Sequence, residues 1–282
     1  MLIKEYGQNK IADYLRKRKP SKVCLIFWHG LGDLVMFITT FYRLKKMFPS
    51  IQIDIALQDG TGQETLIKDA VLIRNPNKSI EGYDYTFQVH YPMSEHMNGR
   101  WTKNEWCCMQ ELGIDPISSY PHFQTLAKPK KMKGGYMVAL HYQATALPGQ
   151  CNPTKEVAHE IWADVLEAGF VPIEAFFKHA WYNPVNEKFD FIPDKQTARN
   201  YTASIPKLAK LLQSCYASIC VASGNLPMSL AIMPERTLYL ERDYNIESYT
   251  KQNISSVDIK NYPGGKVKEW LVDNFRTITS QR

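Results

Sequence analysis

Residues 23 to 28, Val-Cys-Leu-Ile-Phe-Trp, are a continuous apolar run, the pattern of a strand buried on both faces. The period changes after Gly30-Leu31-Gly32-Asp33. Leu34, Ile38, Phe41, Leu44, Met47 and Phe48 then recur at three- and four-residue steps, which places them on one stripe of a helix closed by Pro49. Ile51, Ile53, Ile55 and Leu57 alternate as the next strand. The unit is strand, glycine turn, helix, strand. Tyr85, Phe87, Val89 and Tyr91 alternate as a later strand, and a helix is expected from Trp106 to Leu112.

The patterning breaks at LAKPKKMKGG, residues 126 to 135, where a proline, four lysines and two glycines stand together. The same grammar then resumes. Residues 136 to 141, YMVALH, form a short apolar strand, a helix is expected from Lys155 to Ala168 with Gly169 as its stop, and 170 to 177 read as a strand. Ile205, Leu208, Leu211 and Leu212 mark another helix. A strand over 216 to 222 leads through the turn Ser223-Gly224-Asn225 into a short helix ending before Pro234, and 236 to 241 follow as a strand. The terminal stretch 265 to 275 is amphipathic and is expected to pack back across the first half. Strands alternating with helices predict an α/β chain with parallel sheets covered on both faces. Two domains are expected, residues 1–133 and 134–282, with a central cleft between the carboxyl ends of their sheets, where such architectures bind ligands.

A chain of 282 residues is long enough for two cores of ordinary size. No segment reaches the roughly 18 uninterrupted apolar residues of a spanning helix, and the first twenty residues lack the apolar core of a secretory signal, so a cytoplasmic protein is expected. The six cysteines show no paired spacing and lie partly in apolar runs, as reduced structural thiols do. The seven histidines offer no ligand spacing, and no metal or cofactor is expected. Charge is distributed unevenly. Residues 1–133 hold 19 Lys and Arg against 13 Asp and Glu, whereas 134–282 hold 15 of each. The excess suits either a solvated basic face or an anionic partner.

Asp33 stands where a helix begins at the end of a strand. It can cap the first turn, where the helix amides are unsatisfied. His29, Gly30 and Gly32 flank it, and the two glycines allow a tight turn and close approach of a ligand to the backbone. Arg100 and Lys103 are candidate acceptor-binding cations or ordinary surface residues. In the second half, Ser223, Gly224 and Asn225 enter a helix and offer amides to a phosphate, or simply form a turn and cap. Lys155 opens the preceding long helix as a point charge or a solvated lysine.

These segments together resemble glycosyltransferase family 9, typified by the ADP-heptose:lipopolysaccharide heptosyltransferases. GLGDLVMFITTFYRLKKMFPSIQIDIAL is similar to that family's opening glycine-acid turn, helix and second strand. LHYQATALPGQCNPTKEVAHEIWADVLEAGF is similar to the start of its donor domain, with Lys155 seven residues before Trp162. SIPKLAKLLQSCYASICVASGNLPMSLA resembles its Asp-Ser/Thr-Gly-x-x-His-Leu-Ala segment, except that Ala222 stands for the aspartate and Ser229 is nearest to the histidine. The resemblance implies two Rossmann-like domains of the GT-B type and an inverting, metal-independent transfer of sugar from a nucleotide-diphosphate donor. In that scheme Asp33 is the base, and Lys155, Ser223, Gly224, Asn225 and Ser229 face the donor. The acceptor implied is a lipopolysaccharide-type glycan, whereas the basic first half and compact length also suit the alternative of a hydroxymethylated base in DNA, both being hydroxyls of an anionic acceptor. The changes at 222 and 229 leave a nucleotide-binding relative without catalysis as a third reading.

Overall fold

A computed structural model describes residues 1–3, 10–68, 70–91, 101–116, 128–142, 144, 148–177, 199–202, 204–243, 246, 250 and 254–280. The chain divides into two compact units, Met1–Pro121 with Asn245–Gln252, and His122–Tyr244 with Asn253–Arg282.

In the first unit, β1 (Leu2–Ile3), α1 (Ile11–Arg18), β2 (Lys22–Ile26), α2 (Leu31–Met47), β3 (Gln52–Gln58), β4 (Val71–Ile73) and β5 (Tyr85–Gln88) precede α3 (Lys103–Trp106), which continues as a π-turn over Cys107–Leu112. Its sheet is wholly parallel in the order β1-β5-β2-β3-β4. β2 lies at the centre, and Val23, Cys24, Leu25, Ile26 and Phe27 are fully buried, which is why that stretch reads as an unbroken apolar run. The inward stripe of α2, including Leu34, Phe37, Phe41 and Leu44, packs with Val23, Leu25 and Phe27 into one core. Phe27 and Phe37 stack at 4.4 Å. The helix expected from Trp106 starts earlier, at Lys103, because Thr102 and Glu105 form a reciprocal capping box. Gly113, at φ 68°, ends the π-turn in a backbone conformation that glycine adopts without strain.

In the second unit, β6 (Lys131–Met132), β7 (Gly135–His141), α4 (Pro148–Cys151), α5 (Lys155–Glu167), β8 (Val171–Phe177), β9 (Arg199–Thr202), α6 (Ile205–Ser214), β10 (Ala217–Cys220), α7 (Asn225–Ile232), β11 (Thr237–Glu241), β12 (Ser256–Asp258) and α8 (Lys266–Ser280) follow. Six strands run parallel in the order β12-β11-β10-β7-β8-β9, and β6 pairs antiparallel with β7. Gly135 has φ 139°, and a Cβ there would stand 2.4 Å from the Gly169 carbonyl oxygen, so the position admits glycine alone without rearrangement.

The terminal helix docks within the second unit. Buried Asp164 of α5 accepts from Tyr262 Oη at 2.6 Å and from the amides of Gly265 and Lys268. Lys268 pairs with Glu167, and Phe275 packs among Tyr136, Phe170 and Tyr216. The amphipathic stripe of α8 is thus spent on α5 and the adjoining aromatic cluster. All six cysteines are free and buried, as their apolar surroundings predict. No helix among the described residues is long and apolar enough to cross a membrane.

Candidate functional site

The first unit gathers its candidate residues where β2 ends. The ladder runs one residue past β2, with Phe27 N–H donating to the Ala56 carbonyl and Val89 N–H to that of Ile26. His29 follows, and three segments converge on it. Its Nε2 lies 3.3 Å from the Val89 carbonyl oxygen, which can only accept, so Nε2 carries the proton. Gln63, beyond β3, donates from Nε2 to the His29 carbonyl at 3.1 Å. The imidazole packs on Phe27 and Tyr91. Burial pushes its pKa below the ordinary histidine value, and the nearby Asp33 carboxylate opposes the shift.

Gly30 is the N-cap of α2, at φ −66° and ψ 166°, a conformation open to any residue. A Cβ there would meet nothing within 4 Å. The expectation that this glycine enables a tight turn is therefore corrected: the backbone needs no glycine at 30, and what its absent side chain provides is open space. Gly32 is buried in the first turn.

Asp33 is the third residue of α2, where a carboxylate is favoured by the positive end of the helix, and no side chain caps this helix start. Its Oδ1 instead accepts from Lys103 Nζ at 3.2 Å, with the two side chains 16% and 9% exposed respectively. An ion pair so withdrawn from water requires supporting structure, and α3 supplies it. Glu105 N–H donates to Thr102 Oγ1 at 3.1 Å, Thr102 N–H donates to Glu105 Oε2 at 2.8 Å, and Thr40 of α2 donates to Asn104 Oδ1 at 2.9 Å. Lys103 is thereby locked into α3 with its ammonium aimed at Asp33. The T-x-x-E capping box at Thr102–Glu105 is legible in the sequence; the pairing across 70 positions is not. Arg100 lies outside the described residues.

The second unit brings Ser223, Gly224 and Asn225 together at the carboxyl end of β10. Ser223 Oγ accepts from Asn225 N–H at 3.3 Å. Asn225 is buried, and its Nδ2 donates to the Ala175 carbonyl, the same oxygen that His141 Nδ1 contacts at 2.8 Å. Lys155 opens α5 beside its cap, Thr154, whose Oγ1 accepts from Val157 N–H. It is exposed, and α5 follows β7, the strand paired with β10. Ser229 is fully enclosed, with Oγ 2.7 Å from Ser218 Oγ of β10. Sequence reasoning passed over Asn152, which binds Ala144 N–H through Oδ1 and accepts from Arg242 through its carbonyl at 2.6 Å. These bonds fasten the segment before α5 to the end of β11. Among the described residues, no group of three or more His, Cys, Asp and Glu is placed to hold a metal.

No family model matches the sequence, and no match is found among curated proteins. Solved structures do match in fold. The iron-containing dodecameric glycosyltransferase TibC from enterotoxigenic E. coli H10407 superposes with a TM-score of 0.62 at 14% identity over 93% of this chain and 80% of its own. The glycosyl transferase family 9 protein from Veillonella parvula gives 0.58 at 14% identity over 93% and 98%. The E. coli heptosyltransferase WaaC with ADP-2-deoxy-2-fluoro heptose gives 0.53 at 12% identity over 92% and 99%. The chain thus has the fold of the family 9 glycosyltransferases, in line with the resemblance read from its segments.

Proposed function

We propose that the protein is a nucleotide-sugar glycosyltransferase in which Asp33 is the general base. The observation that carries this reading is the Asp33 carboxylate, held by Lys103 rather than spent on capping, beside the open space at Gly30 on a fold shared with family 9 enzymes. An Asp33 oxygen takes the proton of the acceptor hydroxyl while that oxygen attacks the anomeric carbon. The bond from that carbon to the diphosphate oxygen breaks, configuration inverts, and the nucleoside diphosphate leaves. Most of the acceleration is assigned to orientation, with the base adding about a hundredfold to ten-thousandfold.

Donor binding is assigned to the second unit. Lys155 offers an exposed cation, and Ser223 and Gly224 stand at the amino end of α7, whose positive dipole end favours phosphate oxygens. TibC is described in complex with ADP-D-β-D-heptose, and ADP-linked sugars are therefore the first donors to test. The acceptor is assigned as a glycan hydroxyl, as the resemblance to the family 9 heptosyltransferases implies. Mass-spectrometric detection of transfer from ADP-heptose to core glycans, with Asp33→Asn alongside, is the test. Product formation that is lost in a folded Asp33→Asn protein supports the reading. Full activity in that variant removes Asp33 as the base.

A further inference from the structure

At the opposite end of the first sheet, the amino ends of β2 and β3 meet the carboxyl ends of α1 and α2. Arg16, Lys17 and Arg18 form the last turn of α1, with Lys19 as its cap, and Lys45 and Lys46 lie in the last turn of α2. The two groups are joined by packing, since the Arg16 guanidinium lies 5.8 Å from the Phe48 ring centroid. Among the described residues only Arg16 of these six has a carboxylate in ion-pair range, Asp13 at 2.7 Å. Cations do complement helix carboxyl ends, but each end carries only about half a negative charge. Two such ends and Asp13 leave a strong positive surplus.

The patch is not purely charged. Tyr42 and Met47 are 46% and 40% exposed beside Lys45 and Lys46, and Lys45 Nζ lies over the Phe41 ring at 5.3 Å. Between the two helix ends opens a cavity of about 720 Å³, lined by the apolar Leu15, Pro20, Phe48 and Ile51 and by the polar Arg16, Lys19, Ser21 and Ser50. Lys19 is the only described non-glycine residue with positive φ, at 46°, and it forms part of that lining. Cations with apolar stems, bordered by an exposed tyrosine and methionine, match the boundary between lipid headgroups and acyl chains. A phosphate rod would use the cations but leave the exposed Tyr42 and Met47 without an apolar partner.

We infer that this face docks on an anionic phospholipid surface. The carboxyl end of β2, which carries His29, Gly30 and Asp33, is at the other end of the sheet and is left uncovered. The contact is electrostatic with shallow apolar insertion, so it is reversible and weakened by salt.

The test is co-sedimentation of the full chain with vesicles of phosphatidylcholine alone or with about a third phosphatidylglycerol, beside binding to a 30-base-pair duplex DNA. Binding that requires phosphatidylglycerol and falls with salt is the expected result. At about a fivefold factor for each surface cation, Lys17→Gln, Arg18→Gln and Lys46→Gln together should weaken it roughly a hundredfold, while Lys207→Gln with Lys210→Gln on α6 should leave it unchanged. Equal partition to both vesicle types, duplex binding without vesicle binding, or an undiminished folded triple variant would each overturn the inference. The lipid comparison uses the unaltered protein and decides the matter even if the triple variant does not fold.

Discussion

The Asp33–Lys103 pair allows the chemistry and the architecture of the site to be separated by measurement. At 3.2 Å, two unit charges attract by about 5 kcal/mol at an effective dielectric of about 20, and desolvation of both groups cancels part of this. A charge-assisted hydrogen bond contributes a net ~1.5–3 kcal/mol, so the coupling expected between the two side chains is about 2 kcal/mol. Asp33→Asn keeps an oxygen to accept from Lys103 but removes the charge, and should destabilise by about 1–3 kcal/mol, more than capping alone implies. Lys103→Met should cost a similar amount, and the double variant less than the sum. Urea unfolding of the four proteins closes the cycle. A coupling below about 0.5 kcal/mol would refute the claim that the pair is held out of water. In the same preparations Asp33→Asn should lower kcat by about a hundredfold to ten-thousandfold with donor affinity kept, and a folded variant at full activity sinks the base assignment.

Lys155→Ala should weaken nucleoside-diphosphate binding with the melting temperature unchanged, as titration calorimetry can show; equal affinity would remove Lys155 from the site. Gly30→Ala places a methyl group in open space on an ordinary backbone, so stability should shift by less than about 1 kcal/mol while transfer falls at least tenfold, and unchanged kinetics would mean that no ligand approaches there. His29 has a lowered pKa caused first by desolvation, so the unfolded chain binds more protons near its ordinary value of 6.5, and stability should fall as pH drops through that region. His29→Gln should flatten the loss between pH 7.5 and 5.5 in urea titrations, and an identical pH dependence would disprove it. Tyr262→Phe removes the 2.6 Å bond to Asp164 and should cost about 1–2 kcal/mol, whereas an unchanged melting temperature would show that the aromatic packing of α8 carries the docking alone.

The strand-turn-helix at residues 22–47 was readable because burial imposes its period on the side chains: β2 is covered on both faces and α2 on one stripe. α1 was not, because only Ile11, Ala12 and Leu15 point inward while its charges set the local character. β4 and β12 are three residues each, too short for alternation to be distinguished from chance. At the site, sequence could supply Asp33 and its turn but not its partner. Lys103 is 70 positions away, and what aims it is the capping box together with the Thr40–Asn104 bond. Ser229 shows what spacing leaves open. Its place along a family segment pointed to the donor, whereas the side chain turns inward to Ser218, a direction that helix phase at α7 decides and spacing alone does not.

The buried thiols divide evenly between the two compact units, with Cys24, Cys107 and Cys108 in one and Cys151, Cys215 and Cys220 in the other. Desolvation pushes Cys24, Cys215 and Cys220 up to about 12 and Cys151 to about 11, so near neutral pH these four are both enclosed and protonated, doubly protected from alkylation. An opening that admits an alkylating reagent also returns the thiol to its reactive range. The protein therefore carries its own clock for local unfolding: peptide mapping after timed alkylation gives an opening rate for each unit separately, with no label introduced, and shows whether a ligand closes one unit, the other, or both.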